Sequence, residues 1–336
     1  MKIIVDAFGG DNAPEEIIKG CVDAVSQSQD FTLVLVGIEQ KIKEILSGYE
    51  FNRDRIEVVS APDVITNDDV PTEAIRKKQE SSIVVAYNYL NDNEDAKAFV
   101  SAGATGAVLT GAVLMLKRIK GIKRPALAPI LPTINGRQVL LIDCGANVDP
   151  KPENLCDFAL MGSAYMQSVY NINSPKIALL SNGAEDKKGN ELNKLAFPLL
   201  KEMPLNFQGN IEAREILSGT VDVVVSDGFT GNIAMKSAEG TALGMFSLIK
   251  DGILKGGLRA KIGYLLLKPA LKGVKVKMDY NENGGATLLG LEKVVVKSHG
   301  SSKAKSIKAS ILQAKDLVNN NIIENIKVGL VKNEKI

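Results

Sequence analysis

A chain of 336 residues with 45% hydrophobic and 24% charged side chains carries enough apolar mass for a large core, which excludes a disordered chain and a small disulfide-stapled scaffold. Lysine plus arginine at 41 against aspartate plus glutamate at 39 leaves +2, so no global charge directs it to nucleic acid. Three cysteines without C-x-x-C spacing suggest neither a disulfide framework nor a zinc site and fit a reducing cytoplasm, and a single histidine, His299, excludes any multi-histidine metal centre.

The first run, KIIVD at 2–6, reaches an aspartate and a glycine pair before any long apolar stretch, so it reads as an opening strand and not as a signal peptide. Asn12-Ala13-Pro14 then precedes EEIIKGCVDAV, with proline and acidic residues where a helix begins. Further strand-like runs follow at 31–37, 55–60, 97–103, 138–145, 176–183 and 221–228, and a second proline-led helix start stands at Asp69-Val70-Pro71. Most runs are apolar on both faces, the pattern of buried parallel strands with helices on both sides, so the expected fold is an α/β/α sandwich with a mostly parallel sheet. The stretch from Pro125 to Pro132 reads either as a crossing between two lobes or as a proline cluster inside a single domain.

Ligands of open parallel sheets bind beyond the carboxyl ends of the strands. The residues there are glycine-rich and small: Gly9, Gly10 and Asp11; Gly103, Thr105 and Gly106; Asp143 to Asn147; Ser181, Asn182 and Gly183; Asp227 to Asn232; and His299, Gly300 and Ser301. Glycines at strand-to-helix turns let backbone N–H groups approach an anion at the positive end of a helix. Six such loops point to a polar cleft for phosphate or phosphate-like groups. Neither G-x-x-x-x-G-K-[ST] nor G-x-G-x-x-G occurs at the expected place, which disfavours a nucleotide. The segment 181–191, SNGAEDKKGNE, is the most reactive-looking. It is either a solvated helix start, with Glu185 and Asp186 favoured by the dipole, or a loop that places a lysine against an anionic ligand.

VDAFGGDNAP at 5–14, SAGATGA at 101–107, RIKGIKRPALAPILPT at 118–133, DCGANVD at 143–149, SNGAEDKKGNE at 181–191, SDGFTGN at 226–232 and KSHGSS at 297–302 together resemble the PlsX family of bacterial phosphate acyltransferases, from the first residue to the C-terminal helix. The resemblance implies a Rossmann-like fold related to phosphotransacetylases, usually a homodimer. It also implies transfer of an acyl group from acyl-acyl carrier protein (acyl-ACP) to inorganic phosphate, feeding a membrane glycerol-3-phosphate acyltransferase in phospholipid synthesis. It places the family's important lysine at Lys188 rather than Lys187, and its important asparagine at Asn232. Phe8 stands where a methionine is common and Asn12 where a histidine is common. The opening Ser181-Asn182-Gly183 shifts the usual asparagine by one place, to Asn182.

The implied chemistry needs no strong base. Phosphate is an oxyanion near neutral pH, and the departing thiol has a pKa close to that of cysteine, about 8.5. Direct attack of phosphate on the thioester, without an acyl-enzyme, metal or cofactor, is the expected route. Lys188 is expected to bind phosphate, and Asn232 to donate to the oxyanion or to phosphate, the alternative for Asn232 being a helix N-cap. The substrate-binding set is Gly9, Gly10, Asp11, Gly103, Thr105, Gly106, Asn182, Gly183, Glu185, Asp227, Thr230, His299, Gly300 and Ser301. Asp227 either orients Lys188 or caps its turn, and Cys144 reads as an apolar filler.

Residues 251–277 carry seven basic side chains against Asp251 alone, a net of +6. Leu258, Ile262, Leu265 and Leu266 fall at helical spacing beside that basic face, as in helices that lie on anionic phospholipid, although Gly256, Gly257 and Gly263 weaken a helix and Pro269 should break or bend it. A hairpin packed on its own core or on a dimer partner is the alternative, and acidic acyl carrier protein is a second candidate for the basic face. Together these features predict one catalytic domain, with or without two lobes, held peripherally at the inner face of the cell membrane. The competing functions are a short-chain phosphate acetyl- or butyryltransferase using acyl-CoA, a dehydrogenase of related fold, and a noncatalytic membrane-associated scaffold.

Overall fold

The computed structural model describes residues 1–278 and 284–333. In chain order the first part builds β1 (Lys2–Asp6), α1 (Glu15–Gln27), β2 (Thr32–Gly37), α2 (Glu39–Ser47), β3 (Ile56–Ser60), α3 (Pro71–Lys77), α4 (Ser82–Asp92), β4 (Ala96–Ser101), α5 (Thr105–Met115) and β5 (Ala126–Ala128). After Pro129 come β6 (Ile130–Pro132), β7 (Gln138–Ile142), α6 (Pro152–Tyr170), β8 (Ile177–Ser181), α7 (Glu191–Glu202), β9 (Phe207–Glu212) and β10 (Val223–Val225). Two long helices, α8 (Gly228–Lys255) and α9 (Gly257–Met278), precede the closing β11 (Ala286–Leu289), β12 (Val294–Lys297), α10 (Ala304–Asn319) and α11 (Ile322–Asn333).

These strands form a seven-stranded sheet, β3-β2-β1-β4-β12-β11-β5, and a five-stranded sheet, β6-β7-β10-β8-β9. The chain crosses between the sheets at Pro129 and returns to the first with β11. The β1, β2, β3, β4 and β12 neighbours all pair in parallel, whereas β11 runs antiparallel to β12 and β5, and β6 antiparallel to β7.

The both-face apolarity of the strands has a direct outcome. Ile3, Val5, Leu33 and Leu35 join one buried cluster while Ile4, Val34, Val36 and Phe99 join another, so successive residues of each strand feed opposite faces and both faces carry helices. On one face α1 lies against α10 at Gly20, where an added Cβ would come within 2.7 Å of Ile307. The first cluster continues through Leu140, Ile142 and Val223 of the second sheet and so ties the two sheets together.

Pro14 is the N-cap residue of α1, without a side-chain capping bond, and the Asn12 amide instead donates to the carbonyls of Ser301 and Ser302. Pro71, by contrast, opens α3 at its first position, where a missing N–H costs nothing. Segment 251–277 spans the end of α8, a turn, and most of α9. Gly256 caps α8 and Gly257 adopts φ +71°, a left-handed conformation that glycine alone reaches without strain, so these two glycines make the turn of a helical hairpin. Pro269 does not break α9. The helix runs on to Met278, and the proline removes one donor from a ladder that continues on either side of it.

Candidate active site

The C-terminal ends of β1, β4 and β12 lie side by side and carry a row of polar residues beneath the glycine loops. Asp6, at 1% exposure, accepts the Ser101 hydroxyl at 2.7 Å and the Phe8 amide at 3.2 Å, and burial pushes its carboxyl pKa up. Ser101 is in register with Lys297 on β12. The loop after β1 is pinned to the one after β12 by the Asp11 amide on the Gly300 carbonyl at 2.8 Å.

The second sheet faces this row with the loop after β7 and the start of α8. The buried Asp143 carboxylate accepts the Leu127 amide at 2.8 Å, the Ala146 amide at 3.1 Å, and the backbone and side-chain amides of Asn147 at 2.7 and 2.9 Å. The Asn147 side chain in turn donates to the Pro125 carbonyl at 2.7 Å, so this loop is bonded to the strand that leads out of the first sheet. Burial pushes the Asp143 pKa up, and its four hydrogen bonds oppose the shift. Helix α8 seats directly on the loop. An added Cβ at Gly231 would lie 2.0 Å from the Asp143 carbonyl oxygen, so only glycine permits the approach.

Two cavities open between these elements. The first, of about 290 Å³, is lined by the apolar Leu127, Pro129, Ile130 and Met235 and by the polar Asn232, Lys297 and His299. The second, of about 220 Å³, lies among Phe8, Gly10, Asp11, Thr66, Asn67 and Gly103. Thr105, Lys297 and Gly300 line both, so the cavities adjoin.

Of the residues singled out from sequence, Gly10, Asp11, Gly103, Thr105, Asn232, His299 and Gly300 line one or both cavities. Asn232 is half-buried beside Gly145, where an added Cβ would sit 3.8 Å from its amide nitrogen. Its N-cap reading is corrected. The cap of α8 is Asp227, whose carboxylate accepts the Thr230 amide at 2.8 Å, and Asn232 stands inside the first turns. That bond gives Asp227 and Thr230 a capping role. His299 is exposed at the cavity edge, and its Nδ1 accepts the Ser301 amide at 3.2 Å, which leaves the proton of a neutral ring on Nε2.

The other named residues lie elsewhere. Gly9 is buried, with an added Cβ 2.3 Å from the Asp6 carboxylate, and Gly106 abuts Pro71. Lys188 and Glu185 are exposed on the loop after β8 and line neither cavity. Asn182 accepts the Gly189 amide at 2.9 Å, and Gly183 packs against the Lys188 and Glu185 side chains, so these residues shape that loop itself. Cys144 lines the first cavity at 3% exposure, with burial pushing its thiol well above the ordinary value, which keeps it protonated and fits an apolar filler.

Sequence reading passed over Lys297. The available signal was a cation closing the otherwise apolar VVVK at 294–297, immediately before the glycine loop. Lys236 and Glu239, one and two turns beyond Asn232 on α8, were missed because charged residues inside a helix ordinarily face solvent and helical spacing alone does not show which face meets a cavity.

Away from the cleft, α8 and α9 form the hairpin. Leu258 at 76%, Ile262 at 51%, Leu265 at 66% and Leu266 at 79% are exposed, as are Leu243, Met245 and Leu248 on α8. The side chains of Lys261, Lys275 and Lys277 lie outside those described. No helix among the described residues is long and apolar enough to cross a membrane.

The family described as "Fatty acid synthesis protein" matches residues 1–325. A phosphate acyltransferase of Clostridium novyi (strain NT) is 47% identical over 327 residues, 97% of this chain and 98% of that protein. One from Alkaliphilus oremlandii (strain OhILAs) is 48% identical over 330 residues, 98% of this chain and 97% of that protein. A phosphotransacetylase from Streptococcus pyogenes superposes with a TM-score of 0.60 at 18% identity, over 96% of this chain and 94% of that one, which is a likeness of fold.

Proposed function

This chain belongs to the fatty acid synthesis protein family and, within it, to the phosphate acyltransferases, and on that premise we propose that it moves a fatty acyl group from acyl-ACP to inorganic phosphate. Full-length similarity to phosphate acyltransferases carries the transfer to phosphate. The carrier, the chain length and the residue roles are our reading. A phosphate oxygen adds to the thioester carbonyl, the tetrahedral oxyanion collapses, and the C–S bond breaks. The products are acyl-phosphate and a carrier thiolate that takes a proton from water. No acyl-enzyme is required, and a protonated, buried Cys144 is a poor nucleophile.

The first cavity suits this chemistry. Its apolar lining residues accommodate the acyl and pantetheine methylenes, and Asn232 in the same lining supplies an uncharged donor for the oxyanion. The glycine loops after β1, β4 and β12 narrow the cleft around phosphate. Asn182, Gly183 and Glu185 hold the loop that presents Lys188, whose charge serves from outside the cavity lining, on the acyl donor as it docks. His299 and Ser301 steady the edge.

We read the chain as a single catalytic unit of two lobes around the cleft. Its 251–277 arm lies on anionic phospholipid through Leu258, Ile262, Leu265 and Leu266. The exposed apolar residues of α8 fit a homodimer contact, and the basic residues of the arm fit acidic acyl carrier protein. The enzyme then acts at the inner face of the cell membrane and passes acyl-phosphate to a glycerol-3-phosphate acyltransferase.

Purified protein incubated with palmitoyl-ACP and phosphate is expected to release free carrier thiol and acyl-phosphate in equal amounts, with strict dependence on phosphate. Turnover with short acyl-CoA but none with palmitoyl-ACP would replace this reading by the short-chain transferase. Silence with both would replace it by the scaffold.

A further inference from the structure

We propose that Lys297, at the junction of the two cavities, is the residue that binds the inorganic phosphate nucleophile, a role that rests on the phosphate acyltransferase reading. Lys297 closes β12 at 7% exposure and lines both cavities. Among the described residues its ammonium has the Ser298 carbonyl as hydrogen-bond acceptor and no carboxylate within ion-pairing distance. Asp6, its buried neighbour two strands away, is occupied by the Ser101 hydroxyl and the Phe8 amide.

Burying a cation without a partner is strongly unfavourable, and such a group is retained where an anion completes it. The anion of this reaction is phosphate. Thr105, which also lines both cavities, adds a hydroxyl at the same junction, and Leu127, Pro129 and Ile130 of the first cavity are left to the acyl donor. Desolvation lowers the Lys297 pKa to about 8, with the charges of Asp6 and Asp11 resisting the fall, so near neutral pH the group is cationic and poorly solvated. A poorly solvated ammonium gains more from a phosphate dianion than an exposed one such as Lys188, because it gives up less water.

The test uses the full-length protein and Lys297→Met, a replacement of similar shape without charge. Removing an unpaired buried ammonium is expected to leave Tm equal or higher in phosphate-free buffer. KM for phosphate is expected to rise about 10- to 150-fold, the loss of a hydrogen bond to a charged group, with KM for palmitoyl-ACP unchanged. In the wild type, kcat/KM for phosphate should decline as pH rises through about 8, where the free lysine loses its proton. In Lys297→Met that limb should vanish, and in Lys297→Arg, which keeps the charge, phosphate binding should persist with the limb moved to higher pH. An unchanged phosphate KM in a folded Lys297→Met, or an alkaline limb that persists in it, overturns the assignment. So does a Lys297→Arg protein with an unmoved limb, should the methionine variant fail to fold. Wild-type turnover alongside either result leaves the acyltransferase reading standing. If the wild type releases no thiol, that reading falls, and calorimetric titration with inorganic phosphate then decides on the lysine. Binding lost in Lys297→Met supports it, and no wild-type binding overturns it.

Discussion

Asn232→Ala is expected to lower kcat by about 10²- to 10³-fold, the range for deleting one donor from an oxyanion site, while Tm stays within a few degrees of the wild type. The side chain is half-buried at the wall of the first cavity, and no group among the described residues hydrogen-bonds its amide, so alanine strands no buried partner. Alanine is also the better helix former inside α8. A structural N-cap would behave differently, losing stability by about 0.5–2 kcal/mol with kcat intact, and that position is held by Asp227. Asn232→Asp is the sharper version of the experiment, since it keeps the shape and sets a carboxylate against phosphate and oxyanion together. Its kcat/KM should fall at least as far as that of the alanine variant. Lys188→Ala is likewise expected to lose activity on palmitoyl-ACP, read as kcat/KM, with the fold kept. Its exposed position makes the split of the effect informative, because a rise in KM for palmitoyl-ACP at constant kcat assigns it to carrier docking, whereas a fall in kcat assigns it to the reacting centre. Full activity of Asn232→Ala removes that residue from the mechanism.

The strands that sequence reading located are those whose burial is written into composition. KIIVD, TLVLVG and QVLLI are apolar at nearly every position because helices cover both faces, and the structure places β1, β2 and β7 there. Strands β5 and β6 were illegible as strands. Each has only three residues, and they are separated by Pro129, so they carry no period, and what the sequence offered was a proline cluster with two readings. Strand β9 was hidden by its polar Gln208 and Asn210 and by Gly209, which suit its place at the edge of the second sheet. Most of the cleft was legible for a general reason. The carboxyl ends of parallel strands converge, so glycine loops widely separated in sequence converge too. Lys297 escaped because a lysine at a strand end is ordinarily solvated, and only the pairing of β12 with β4 shows this one to be enclosed. The loop of Lys188 carried the strongest sequence pattern and yet lies outside the cavity lining, since pattern reports residue type and order but not which of several adjoining strand ends a cavity opens against.

Leu265→Glu combined with Leu266→Glu is expected to release the protein from vesicles containing anionic phospholipid, with turnover on soluble palmitoyl-ACP retained. These two leucines stand 66% and 79% exposed on α9, with Leu258 and Ile262 nearby along the same helix. Burying a leucine or isoleucine side chain in the acyl region contributes about 1.5–3 kcal/mol, so the four together supply about 6–12 kcal/mol against the cost of immobilising the protein at a surface. Basic residues of the same arm add about 1 kcal/mol for each one held near anionic headgroups. The double substitution removes roughly half of the apolar gain and places two negative charges against the headgroups, which opposes binding by about 5–8 kcal/mol in all. Vesicle co-sedimentation should therefore fall by three or more orders of magnitude in partition coefficient, enough to read as complete release. Raised salt should weaken the wild type only in part, because the apolar share of binding is not screened. If the hairpin instead packs against a second copy of the chain through these leucines, the double variant would shift from dimer to monomer in light scattering while wild-type protein ignored vesicles. That pair of outcomes would move α9 from the membrane surface to the subunit interface.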